Sequence, residues 1–90
     1  MANEKIANKK IMLLEIVSPE KTIFKGEVES ITLPGTKAAF TILNNHAPMI
    51  SSLTKGIIRY KIKEKEEELP IEGGFIEVTE NSITVCLDVA

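Results

Sequence analysis

The chain has 90 residues, enough for one domain and too few for two full ones. Apolar residues make up 43% and charged residues 27%, the proportions of a soluble globular fold. The net charge of -2, the 4% aromatic content and the lack of Trp leave no phosphate-neutralising surface and no base-stacking platform, so nucleic acid is not expected as a partner.

The opening, MANEKIANKK, lacks the apolar core of a secretory signal and reads as a polar arm over residues 1–10. From residue 11 to 90, alternation of period two dominates, and the segment reads as one β domain. Residues 11–17, IMLLEIV, are apolar on both parities. That pattern suits a strand covered on both faces, or one whose second face touches a partner. Ser18-Pro19 marks a turn, Ile23 and Phe24 a short strand, and Gly26 a second turn. VESITLPG gives a strand with Ile31 and Leu33 inward that stops at Pro34-Gly35. AAFTIL gives another strand, then the loop NNHAP, the short strand MISSL and a turn at Thr54-Lys55-Gly56.

In IIRYKIK, Ile58, Tyr60 and Ile62 alternate with Arg59, Lys61 and Lys63. The run KEKEEE, residues 63–68, reads as a solvated turn, after which Leu69 and Ile71 form an inward pair. Pro70 lacks a ladder donor, which puts its strand at an edge or breaks the ladder there. Residues 74–88 predict a hairpin about a tight turn at Glu80-Asn81. Ile76 and Val78 share one face of it; Ile83, Val85, Leu87 and Val89 oppose Ser82, Thr84, Cys86 and Asp88. No helical stripe runs over ten residues. The expectation is an all-β fold, a flattened β-sandwich or barrel of about eight to ten short strands.

Chemistry is sparsely provided. The one cysteine, Cys86, permits no internal disulfide and points to a reducing compartment. It alternates with inward residues, so it belongs on the second face of its sheet or in a covered patch. One His and one Cys do not make a zinc set, and EGG at 72–74 is too short for a nucleotide loop, so neither metal nor cofactor is expected. No run of about 20 apolar residues exists, so no direct membrane insertion is expected. His46, the only histidine, admits three readings. It caps its own turn through backbone carbonyls, it docks a partner, or it serves a small hydrolase with Ser51 or Ser52. Docking gains weight from Phe40, Ile42, Leu43, Met49 and Ile50, which surround this loop on both parities and cannot all face one core.

Three stretches together are similar to one family. LEIVSPEKTIFKGEVESITLPG resembles the opening of the epsilon subunit of F-type ATP synthases (delta in mitochondrial naming). NHAPMISSLTKGIIRY resembles the family's Gly-His-Ala-Pro loop and Gly-x-x-Arg strand, and PIEGGFIEVTENSITVCLD its Gly-Gly-x-x-Glu-Val hairpin. The resemblance covers about residues 12–90 and concerns the N-terminal β-sandwich domain. It implies a subunit that is not a catalyst. Such a subunit sits in the central stalk, binds the gamma subunit and the polar loops of the c-ring, and couples proton translocation to ATP synthesis. It implies a peripheral position at the cytoplasmic face of the energy-transducing membrane. It places His46, Met49, Ser51 and Ser52 toward gamma, and the loop of Thr36, Lys37, Ala38, Ala39 and Phe40 toward the c-ring.

The chain departs from the family where Ala39 replaces a customary acid and Lys37 adds a positive charge. It also stops at Ala90, where many members continue into a helical hairpin, so inhibition and nucleotide binding by that hairpin are not carried over. The alternative expectation is a free-standing β-sandwich adaptor that binds another protein through the His46 loop.

Overall fold

Alternating apolar and polar residues give each strand one face to bury, and two sheets satisfy that need by packing those faces together. A computed structural model describes residues 12–44, 46–80 and 82–89. The strands are β1 (Met12–Val17), β2 (Thr22–Val28), β3 (Ser30–Pro34), β4 (Ala39–Ile42), β5 (Met49–Leu53), β6 (Gly56–Ile62), β7 (Lys65–Ile71), β8 (Gly74–Thr79) and β9 (Ser82–Leu87). One sheet runs β2-β1-β9-β8-β5 and the other β4-β3-β6-β7. Every pairing is antiparallel except that of β1 with β9. The expected β-sandwich is therefore the fold. The polar arm at 1–10, and Asn81 of the predicted Glu80-Asn81 turn, lie outside the described residues.

Between the sheets lies one apolar core. Leu14 and Ile16 of β1, with Ile76, Ile83 and Val85 of β8 and β9, meet Ile31, Leu33, Ile42 and Ile58 from the other sheet. Each such side chain contributes about 1.5–3 kcal/mol on leaving water. Phe24 and Tyr60 join the sheets toward one side, with ring centroids 4.7 Å apart and planes at 44°. At another corner the sheets are stitched by backbone. Gly35 bridges Leu53, and the Thr54 N–H donates to the Pro34 carbonyl at 2.8 Å. Pro70 falls in β7, an edge strand, where its missing N–H faces no ladder.

Two turn expectations fail. Gly26 is not a turn residue: β2 runs through it, and Gly26 pairs with Leu14. Its bare Cα instead leaves room for the Phe24 ring, whose Cζ would lie 3.1 Å from an added Cβ. Residues 63–68 are not one solvated turn either. The chain reverses at Lys63 and Glu64 alone, with φ of 46° and 65°, and Lys65 to Glu68 join the β7 ladder. The reason is charge register. Arg59 faces Glu68 and Lys61 faces Glu66 across β6 and β7, so the acidic run pairs with basic partners as a strand.

Candidate protein-docking surface

His46 sits half-buried between β4 and β5, in a loop it helps to close. Its backbone N–H donates to the Leu43 carbonyl at 3.2 Å, and Nδ1 lies 2.8 Å from the Ala47 carbonyl. With a carbonyl as the acceptor, Nδ1 is the protonated ring nitrogen. The turn-capping role is thus the one its geometry performs. In a hydrolase the same nitrogen would face an orienting carboxylate. The Ser51 hydroxyl, for its part, donates to the Ser52 carbonyl at 3.3 Å.

Beyond the loop, β5 is the edge of the five-stranded sheet. Its register places Met49 opposite Val78, Ser51 opposite Ile76 and Leu53 opposite Gly74, on the inner side. Ile50 and Ser52 therefore point outward, opposite Glu77 and Phe75. Ile50 is 73% exposed, a large apolar side chain with no cover among the described residues. Beside β5 runs the reversal at 35–38. Thr36 holds it there twice: its N–H donates to the Ser52 carbonyl at 3.3 Å, and the two hydroxyls lie 3.0 Å apart. Gly35 is required at this reversal, since a Cβ would meet the Ala38 carbonyl oxygen at 2.6 Å and Phe40 Cε1 at 2.7 Å.

These segments enclose an open depression of about 450 Å³ lined by residues 35–40 and 49–52. The two groups expected to serve different partners, Thr36, Lys37, Ala38, Ala39 and Phe40 on one hand and Met49, Ser51 and Ser52 on the other, thus share one hollow. His46 is not among its walls. Lys37 is the single charged residue that lines it, so the hollow presents positive charge on an otherwise neutral, part-apolar wall.

Both outer faces of the sandwich mix polar and apolar residues, in different arrangements. On the four-stranded sheet the outward residues toward one end are polar, while Pro34, Ala39, Ile57 and Pro70 sit together toward the other. Thr32 and Thr41 share a 2.8 Å hydrogen bond, Arg59 Nε donates to Glu68 Oε2 at 3.0 Å, and Lys61 lies between Ser30 and Glu66. On the five-stranded sheet, Val17, Cys86 and Phe75 form an unbroken row from β1 to β8 that ends on Ser52 of β5. Phe75 is 47% exposed, and Leu13, beyond the intervening row of Glu15, Thr84, Glu77 and Ile50, is 45% exposed. Cys86 takes the second face of its sheet, as its alternation required. Leu13 and Phe75 were not among the expected contact residues. The two-sided apolar pattern at 11–17 held the signal for the first, and Phe75 breaks the alternation set by Ile76 and Val78.

Comparison with known proteins agrees with this architecture. Residues 11–90 match the model of the family described as ATP synthase, Delta/Epsilon chain, beta-sandwich domain. The ATP synthase epsilon chain of Leptospira interrogans is 44% identical over 82 residues, which are 91% of this chain and 63% of that one. The epsilon chain of Desulfitobacterium hafniense is 46% identical over 77 residues, 86% of this chain and 58% of that one. The chain thus spans about three fifths of the length of these relatives. Among solved structures, a chain of the Euglena gracilis mitochondrial ATP synthase (OSCP/F1/c-ring) has the same fold, with a TM-score of 0.81 at 22% identity over 84% of this chain and 49% of that one. A chain of the Tetrahymena thermophila mitochondrial ATP synthase central stalk and c-ring gives 0.72 at 18% identity over 86% and 63%. On the match across residues 11–90 and these identities, the chain belongs to the family of ATP synthase delta/epsilon chain β-sandwich domains.

Proposed function

We propose that this domain is a non-catalytic rotor element of an F-type ATP synthase, held between the gamma subunit and the polar loops of the c-ring, where it couples proton translocation to ATP synthesis. The observation that carries this reading is the family match over residues 11–90, joined to a surface built for protein contact. That surface is the hollow between residues 35–40 and 49–52, flanked by exposed Ile50 and the apolar row that ends on β5. Of the residues expected toward gamma, Ser52 points outward beside Ile50 and meets gamma there, while Met49 and Ser51 turn inward on β5 and His46 holds the loop beside them. Thr36, Lys37, Ala38, Ala39 and Phe40 approach the c-ring. Without the customary acid, Lys37 makes the charged contact there, so its partner on the ring is an acceptor: a carboxylate or a backbone carbonyl.

A rotor element must pass torque without deforming. Two sheets locked by close-packed side chains resist shear, and the backbone stitch at Gly35 and Leu53 ties the hollow to both sheets. The domain sits peripherally at the cytoplasmic face of the energy-transducing membrane. No described helix is long and apolar enough to cross a membrane.

The test is a pull-down against the gamma subunit and the c-ring of the same source. Wild-type chain is retained by both, and Lys37→Glu loses retention by the ring while keeping gamma. A correctly folded wild type retained by neither overturns the rotor reading and leaves a free-standing adaptor.

A further inference from the structure

The reversal between β3 and β4 has little of its own to hold it in place. Thr36, Lys37 and Ala38 are all exposed, so none of their side chains anchors in the core. The ends of the reversal are fixed. Gly35 bridges Leu53, and the half-buried Phe40 ring closes on the space beside Gly35. Between those ends, among the described residues, Thr36 alone bonds to another strand. Its N–H donates to the Ser52 carbonyl at 3.3 Å, and its hydroxyl lies 3.0 Å from that of Ser52. The backbone bond is longer than the usual range of about 2.7–3.2 Å, whereas the hydroxyl pair falls within its own range of about 2.5–3.0 Å. The hydroxyl pair is therefore the better bond of the two. It links the residue before Lys37 to the outward side chain of β5 next to Ile50.

We propose that Thr36 and Ser52 are positioning residues, whose hydroxyl clasp sets the backbone from which Lys37 reaches its acceptor and makes the ring and gamma contacts support one another. The inference rests on the rotor reading and deepens it. A partner that meets a loosely held reversal must order it, and that cost comes out of its affinity. A closed clasp orders Thr36 beforehand, so only the side chain of Lys37 remains to be fixed. Both hydroxyls are open to solvent in the free chain, where water competes for their bond. Gamma seated over Ser52 and Ile50 takes that water away. The two hydroxyls then bond to each other in a drier setting, where a hydrogen bond is stronger. The ring meets a reversal already held, and binds more tightly for it. By linkage, the ring raises the affinity for gamma by the same factor.

Affinity for the c-ring, measured first without gamma and then at saturating gamma, tests this in wild type, Thr36→Val, Thr36→Ser and Ser52→Ala. Without gamma, Thr36→Val and Ser52→Ala each weaken ring binding by about 3- to 10-fold, the effect of one lost hydrogen bond. The double variant binds no more weakly than either single one, because one bond is lost once. Thr36→Ser keeps the hydroxyl and the wild-type affinity. Saturating gamma tightens ring binding by the wild type about 3- to 10-fold, and Thr36→Val loses that gain. Both positions are exposed, so the variants keep their fold, which thermal unfolding checks. If Thr36→Val does not fold, Ser52→Ala decides. Full ring affinity in Ser52→Ala, or additive losses in the double variant, would make Thr36 a direct ring contact and overturn the positioning role. Equal ring affinity with and without gamma overturns the coupling. A folded wild type that binds neither ring nor gamma overturns the rotor reading itself, a failure distinct from these.

Discussion

Gly74 occupies a conformation open to almost no other residue, with φ of +153° at the start of β8. A Cβ there would also run into the Cys86 carbonyl of the paired strand. Gly74→Ala therefore combines backbone strain of about 1–3 kcal/mol with a clash against β9. Thermal unfolding followed by circular dichroism should show a Tm lowered by about 10 °C or more. Tyr60 is a second residue whose setting is specific. Burial against Phe24, and then the charge of Glu67, raise its phenol above the ordinary 10.0. A raised phenol keeps its proton in the folded state while the unfolded chain ionises, so its contribution is full below pH 10.0 and falls away as pH rises through the folded value. Phenolate absorbance should titrate above 10.0 in the wild type and lower in Glu67→Gln, and an unchanged midpoint would remove Glu67 from the cause. At this scale the sequence was partly legible. Tyr60 read as inward from its alternation with Arg59 and Lys61, whereas its ring partner, 36 positions earlier at Phe24, had no local signature.

Within the elements, burial and charge differ in worth. Leu14 in β1 is wholly buried between the sheets, and Leu14→Ala should cost about 2–5 kcal/mol, lost transfer energy plus a cavity. The Arg59–Glu68 pair on β6 and β7 is as short as a good ion pair, 3.0 Å, yet both side chains are about half exposed. Glu68→Ala should therefore cost under about 1 kcal/mol, and less in high salt. Urea denaturation of both variants checks the contrast; equal losses would mean that the core does not dominate. The same strands explain where element reading failed. Gly26 and the run at 63–68 carry turn-like composition, but the composition of a segment does not contain its partner strand. Leu14 opposite Gly26, and Arg59 opposite Glu68, turn both segments into ladder. Strands bounded by an explicit stop were legible, as with β3 ending at Pro34-Gly35 and β5 at Leu53.

For the molecule as a whole, the exposed apolar groups at and beside the β5 edge are the feature with functional weight. Ile50 projects outward from the edge of the five-stranded sheet, whereas its neighbour Met49 points inward against Val78. Ile50→Asp should thus weaken gamma binding by about 2 kcal/mol with Tm almost unchanged, while Met49→Asp should lower both. Titration calorimetry beside thermal unfolding separates the two, and a large Tm loss in Ile50→Asp would place that residue in the core. The sequence by itself determined the all-β class, the inward residues of most strands, the edge position of Pro70 and the family, because alternation, turn residues and motifs are local in the chain. Tertiary structure alone decided that β1 lies parallel to β9, and that residues 35–40 share one hollow with 49–52. It also decided that β4 keeps an uncharged edge. Those arrangements join segments distant in sequence. They are fixed by which faces must be buried together, and no local pattern records that choice.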